Sequence, residues 1–119
     1  MQVTKFKNIH STLLKFSNHL GNVGTVSLSK HKKVGIINNI LVYPHLRKHG
    51  YGSQMVGLSE EFLKENENIT EMKLIAWQTT IDPVCEFYLK NGYVLDKENT
   101  TYYDDGLIEH SLVPMRKTI

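Results

Sequence analysis

The sequence predicts an α/β domain in which short strands alternate with two helices. Three observations carry that prediction. Apolar and β-branched residues gather in short runs bounded by turn residues, as at 33–43 and 72–77. Tyr51, Met55, Leu58 and Phe62 recur at helical spacing within residues 51–65. A second helix is bracketed by Asp82 as its N-cap, Pro83 at its first position and Gly92 just past its end.

The elements follow in chain order. The first twenty residues admit two readings: a short amphipathic helix over 10–20 through Leu13, Leu14 and Phe16, or a strand over 12–17. Leu20-Gly21-Asn22 reads as a hairpin turn, which favours the strand. Residues 23–29 alternate apolar and polar side chains, as a half-buried strand should. Lys30-His31-Lys32-Lys33 is the expected hairpin link, a solvated turn. Val34, Ile36, Ile37, Ile40, Leu41 and Val42 make the next strand, which stops at Pro44 for want of an N–H.

In the first helix Glu60 and Lys64 form an expected exposed i, i+4 pair. Gly57 costs that helix about 1 kcal/mol relative to alanine, a cost that close packing on the sheet would explain. Residues 72–77 read as a short buried strand and 93–95 begin another. Val84, Phe87 and Tyr88 share one face of the second helix. Asp104-Asp105-Gly106 is a turn signal ahead of a final strand over 107–115.

Length and composition exclude several classes. A chain of 119 residues suffices for one core, so a single domain over 1–119 is expected. No apolar run is long enough to span a bilayer. The basic first residues have no apolar segment behind them to make a secretory signal. A net charge of +2 is too small to argue for nucleic acid. Cys85 is the sole cysteine, so neither an internal disulfide nor a thiolate metal site is open to the chain. It is expected as a small buried residue of the second helix, compatible with a reducing, cytoplasmic setting. The six histidines are scattered without ligand spacing, and no metal is expected.

The chemistry concentrates in one loop. Ile40-Leu41-Val42-Tyr43-Pro44-His45-Leu46-Arg47-Lys48-His49-Gly50-Tyr51-Gly52-Ser53 joins a strand to a helix. Gly50 and Gly52 let a ligand approach the backbone closely. The first N–H groups of a helix lack intrahelical partners, and the dipole there favours anions. A pyrophosphate is the natural guest, with Arg47 and Lys48 adding charge beside it. No Gly-Lys-Ser/Thr follows, so this is not a Walker loop, and the dinucleotide Gly-x-Gly-x-x-Gly spacing is absent.

Two motifs together resemble the GNAT superfamily of N-acetyltransferases. Ile40, Val42, Pro44, Arg47, Gly50 and Gly52 match that family's strand-loop-helix pattern. Pro83, Phe87, Tyr88, Lys90, Gly92 and Tyr93 match its second element, and the likeness covers roughly residues 22–117. The resemblance implies an α/β fold (α+β by some schemes): a mixed, mostly antiparallel sheet with a splayed parallel strand pair and flanking helices. It implies acetyl-coenzyme A as co-substrate. Main-chain groups of Ile40 and Val42, with Leu41 between them in the cofactor-binding set, would pair with the pantetheine arm, and amides of Arg47, Lys48, His49, Gly50, Tyr51, Gly52 and Ser53 would hold the pyrophosphate. Tyr88 would protonate the leaving thiolate, although helical spacing alone equally allows a core aromatic beside Phe87.

The chain also departs from the family. Many relatives carry a carboxylate on the central strand, where Asn38 and Asn39 stand here. Glu109 and His110 are fallback bases, each with a plain reading as an exposed strand residue. Ile81 occupies a position often held by asparagine, with Gln78 and Asp82 nearby. Too few residues precede Val23 for the two helices that build part of the acceptor pocket in relatives. The pocket is then open to a bulky or macromolecular acceptor, or completed by a second subunit in a homodimer. Two classes follow: an N-acetyltransferase acting on a small-molecule or protein amine, or a non-catalytic acyl-coenzyme A binding or sensor module. A nucleotide or nucleic-acid module built on Arg47, Lys48 and the 30–33 turn ranks below both.

Overall fold

The turn at Asn8 sets the start of the fold. In the computed structural model, which describes residues 1–47, 49–82 and 84–119, the Asn8 side-chain oxygen accepts from the amides of His10 and Ser11, both at 2.8 Å. This Asx-type turn joins strands β1 (Gln2–Lys7) and β2 (Thr12–Asn18) into an antiparallel hairpin. The helix reading of 10–20 is therefore overturned, and β1 is a strand the sequence had not announced. Leu14 and Phe16 are buried while Leu13 is not, an alternation of period two rather than 3.6.

β3 (Gly21–His31) and β4 (Val34–Val42) continue the antiparallel run. Their link is shorter than expected: β3 extends through His31, and Lys32, at φ 55°, makes the turn with Lys33. A single 3₁₀ turn, Pro44–Leu46, leads to helix α1 (Tyr51–Glu67). The helix carries the chain over to β5 (Glu71–Thr79), which lies parallel to β4. Helix α2 (Val84–Lys90), β6 (Val94–Leu95), β7 (Thr101–Asp104) and β8 (Glu109–Thr118) complete the order. The sheet runs β1-β2-β3-β4-β5-β8-β6, with β7 also on β8.

Pro114 accounts for the division of β6 from β7. Its carbonyl accepts from Asp96 N at 2.9 Å, so its nitrogen faces the same side and has no proton to donate. The strand beside β8 is interrupted there: β6 pairs with Met115 and Arg116, and β7 with residues 109–112.

One apolar core lies between the sheet and the two helices, joining Phe16, Val26, Leu28, Ile37, Met72 and Leu74 to Met55, Val56, Leu63, Cys85, Tyr88 and Tyr93. Cys85 is a free, buried thiol. The face of α1 is rotated from the expected stripe: Met55, Val56, Ser59, Glu60 and Leu63 are buried, while Tyr51, Leu58 and Phe62 pack at the margin. Two expectations fail with that rotation. Glu60 is not an exposed partner of Lys64. It accepts from Tyr93 Oη and from Lys117 Nζ, each at 2.8 Å, and staples α1 to β8 and to the segment ahead of β6. Nor does Gly57 pack on the sheet, since a β-carbon there would meet nothing within 4 Å.

The opposite face of the sheet carries no helix among the described residues. Leu13, Leu41, Ile75 and Trp77 stand exposed on it.

Candidate active site

The two parallel strands separate soon after they meet. β4 and β5 pair only from Val34 to Ile36 and from Glu71 to Lys73. Beyond that, residues 37–42 and 74–79 diverge. The cause is local. Ser27 pairs with Asn39 and Leu28 with Ile37, so Asn38 is an extra residue in β4. Such a bulge bends its strand and increases its twist, and it sits just past the last β4–β5 pair. The mixed sheet with a splayed parallel pair thus forms as expected.

The open end of the splay meets the N-terminus of α1. Gly50, at φ 79°, is the left-handed residue that turns the loop into the helix, with no side chain capping it. Gln54 N bonds back to Gly50 O, which leaves the preceding amides of the first turn without helical acceptors. Arg47 folds back so that its Nε donates to Val42 O at 3.1 Å. That bond ties the loop to the end of β4. Ser53 Oγ accepts from Asn91 Nδ2 at 3.2 Å, and the same amide donates to Phe87 O, so α1 and α2 are held together at the mouth.

A groove of about 510 Å³ opens between these parts. It brings together Ile40, Val42, Arg47, Gly50, Tyr51, Gly52 and Ser53 from the expected set. Leu41 does not line it, because strand alternation turns that side chain to the opposite face. His49 lies outside as well, tilted against Tyr51 with ring centroids 6.0 Å apart. Lys48 and Pro83 lie outside the described residues. Leu46, Asp82, Phe87 and Lys90 also line the groove and had not been named as ligand contacts. The signal for Lys90 was present: it stands three residues after Phe87 on the same helical face.

The N-terminus of α2 is capped differently from expectation. The Cys85 amide, which an N-cap at Asp82 would have taken, donates to Gln78 Oε1 at 3.0 Å. Gln78 on β5 thus holds α2 against the splayed strand.

Tyr88 is buried in the core and does not line the groove. Its ring packs edge-on against Phe87, at 5.1 Å between centroids, and against Tyr93, at 5.8 Å. Burial first, and Cys85 second, push its phenol above the ordinary value, so it keeps its proton at neutral pH. Burial likewise raises the Cys85 thiol, which makes it a poor nucleophile.

His110 is not an exposed strand residue. It is buried, stacked on Tyr103 with centroids 4.4 Å apart. Trp77 Nε1 donates to its Nδ1 at 2.9 Å, so the ring proton resides on Nε2, facing Asp105 Oδ2 at 2.7 Å. Both ring nitrogens are committed, which removes His110 as a free base. Asp105 is drawn down to about 2 by the Ile108 amide, His110 and the Leu107 amide. Glu109 is exposed. No group of three His, Cys, Asp or Glu suited to a metal ion occurs among the described residues. No helix among them is long and apolar enough to cross a membrane.

A model of the acetyltransferase (GNAT) family matches residues 8–93. The chain belongs to the GNAT acetyltransferase family. No curated protein matches it in sequence. Solved GNAT structures share its fold. A Bacillus anthracis str. Ames protein, provisionally described as a streptothricin acetyltransferase and in complex with acetyl coenzyme A, aligns with TM-score 0.77 at 18% identity, over 96% of this chain and 65% of its own. The PaiA N-acetyltransferase of Thermoplasma acidophilum, in complex with coenzyme A, gives 0.72 at 19%, over 94% and 63%. A Bacillus subtilis acetyltransferase in complex with CoA gives 0.77 at 17%, over 92% and 78%. The chain thus spans less than two thirds of the length of the first two. At these identities the likeness establishes the fold alone.

Proposed function

We propose that this GNAT chain is an N-acetyltransferase that uses acetyl-coenzyme A and a primary amine. The observation that carries the reading is the groove at the splay. It combines an uncapped helix N-terminus, two glycines and the Arg47 and Lys90 cations beside diverging parallel strands. The residues fit the cofactor's chemistry. The first-turn amides of α1, with Arg47 and Lys90, suit a pyrophosphate. The unpaired edge of β4 from Ile40 to Val42 suits the amide groups of a pantetheine arm.

When bound, acetyl-coenzyme A supplies an activated acetyl thioester. Tyr88 keeps the proton on its Oη at neutral pH, as a general acid for a leaving thiolate must. The acceptor has to arrive as the neutral amine. The bare sheet face gives it an approach from the side opposite α1 and α2.

The test is calorimetric titration with acetyl-coenzyme A, with dephospho-coenzyme A and ATP as comparisons. One-to-one micromolar binding, far tighter than ATP, is the expected result. Absence of binding to a folded sample sinks the reading.

A second reading rests on one observation. Neither splayed stretch, 37–42 or 74–79, carries a carboxylate, and Asn38 is bonded to Ser29 Oγ at 3.2 Å. A non-catalytic acyl-coenzyme A module would bind the cofactor and leave every amine in a broad panel unacetylated.

A further inference from the structure

The bare face of the sheet is not uniform. Where β4 and β5 begin to part, a cavity of about 330 Å³ opens on it. Its floor is apolar, made by Ile36, Ile75 and Pro114. Its rim is cationic. Lys73 on β5 and Arg116 on β8 are direct cross-strand partners, and both are exposed on the same side.

Like charges placed opposite each other on a sheet destabilise it. Neither cation forms an ion pair among the described residues. Asp96 also lines the cavity, accepting from the Asn99 side chain at 2.6 Å, and its carboxylate lies within Coulombic reach of Arg116. Even with Asp96 counted, the two cations leave the site one net positive charge. An apolar floor under a rim of net positive charge matches a ligand with a hydrophobic body and an anionic head.

The location joins this cavity to the groove. Ile36 marks the closed end of the splay and Val42 its open end, about 20 Å apart along an extended strand. That span is comparable with an extended phosphopantetheine arm. A cofactor anchored at α1 would therefore present its acyl end near the cavity.

We propose that this cavity is the acceptor subsite, and that it takes an apolar primary amine bearing a carboxylate, a hydrophobic free amino acid being the simplest case. The inference rests on the acetyl-transfer reading and names its substrate class. The reaction forms one C–N bond and breaks one C–S bond; the amine gives up one proton and the sulfur gains one. The two cations serve it twice. They attract the carboxylate, and they favour the neutral form of the neighbouring amine. That second effect supplies by electrostatics part of what a strand carboxylate would do as a base.

The experiment uses matched pairs: phenylalanine with phenethylamine, and leucine with isoamylamine. Thiol release is followed at saturating acetyl-coenzyme A. The carboxylate-bearing member should show kcat/KM higher by about tenfold or more. The Lys73→Met/Arg116→Met double variant should lose that preference and keep its acetyl-coenzyme A affinity. Equal or better turnover of the decarboxylated amines overturns the proposal while leaving the transferase reading intact.

A second arm needs no turnover. 3-Phenylpropionate is titrated into the protein, and the amides of Ile36, Lys73 and Ile75 are followed by NMR. Shifts that vanish in the double variant support the site, and unmoved amides overturn it. If acetyl-coenzyme A itself fails to bind, the transferase reading falls separately and this second arm decides the cavity.

Discussion

A β-carbon on Gly52 would stand 3.0 Å from Phe87 Cε1 and 3.7 Å from Val42 Cγ2. The two helices and the splayed strand therefore converge on the one residue that has no side chain. This contact gives Gly52 a second reason to be glycine beyond backbone access. Gly52→Asp should reduce acetyl-coenzyme A affinity by about two orders of magnitude, through bulk and through negative charge beside a pyrophosphate. An acid in the first turn favours the helix dipole, so the variant should stay folded. Calorimetry alongside circular dichroism checks both halves. Undiminished affinity would displace the pyrophosphate from this loop.

Tyr88→Phe should lower kcat by about 10²-fold or more while leaving acetyl-coenzyme A affinity nearly intact. The ring contacts with Phe87 and Tyr93 survive the change, so the loss belongs to the hydroxyl. Steady-state kinetics and a binding titration decide it. An unchanged rate would reduce Tyr88 to a core aromatic.

Gly57→Ala should raise stability by about 0.5–1 kcal/mol. The site faces open space, so the gain in helix propensity meets no clash. Urea denaturation should show a higher midpoint at unchanged slope. A loss of stability would mean that something covers this face of α1 in solution.

Glu67 supplies the pH prediction. Lys30 first and Lys7 second, the latter at 2.6 Å, hold its carboxyl down at about 2 from an ordinary 4.5. A depressed carboxylate stabilises the fold above its unfolded pKa and ceases to do so as pH falls through the folded one. Wild type should therefore lose this contribution between about pH 4.5 and 2. Glu67→Gln should be less stable by about 1 kcal/mol at pH 7 and converge with wild type near pH 2. Melting curves across that range test it, and a constant gap between the two proteins would refute it.

Local chemistry made much of the fold legible. Pro44 and the two loop glycines announced a strand-to-helix junction, and Gly92, at φ 92°, closes α2 as read. The loop from Ile40 to Ser53 and the run from Phe87 to Gly92 were enough to indicate the family. Other features depended on partners remote in sequence. Glu60 looked like a surface acid because its partners are remote in sequence, Tyr93 just before β6 and Lys117 on β8. His110 looked exposed because Trp77, Tyr103 and Asp105 enclose it only once β5, β7 and β8 are side by side. The cap of α2 came from Gln78, on the preceding strand, rather than from the adjacent Asp82.

The sequence by itself determined the alternation of elements, the glycine loop and the family, because each depends on backbone preferences and spacings within about a dozen residues. Tertiary structure alone decided where β4 leaves β5, which side of α1 is buried, and that Lys73 and Arg116 face each other over an apolar cavity. These follow from strand register and from a one-residue bulge at Asn38. A shift of one residue exchanges the two faces of a strand, and only the whole sheet, packed on its helices, fixes that choice.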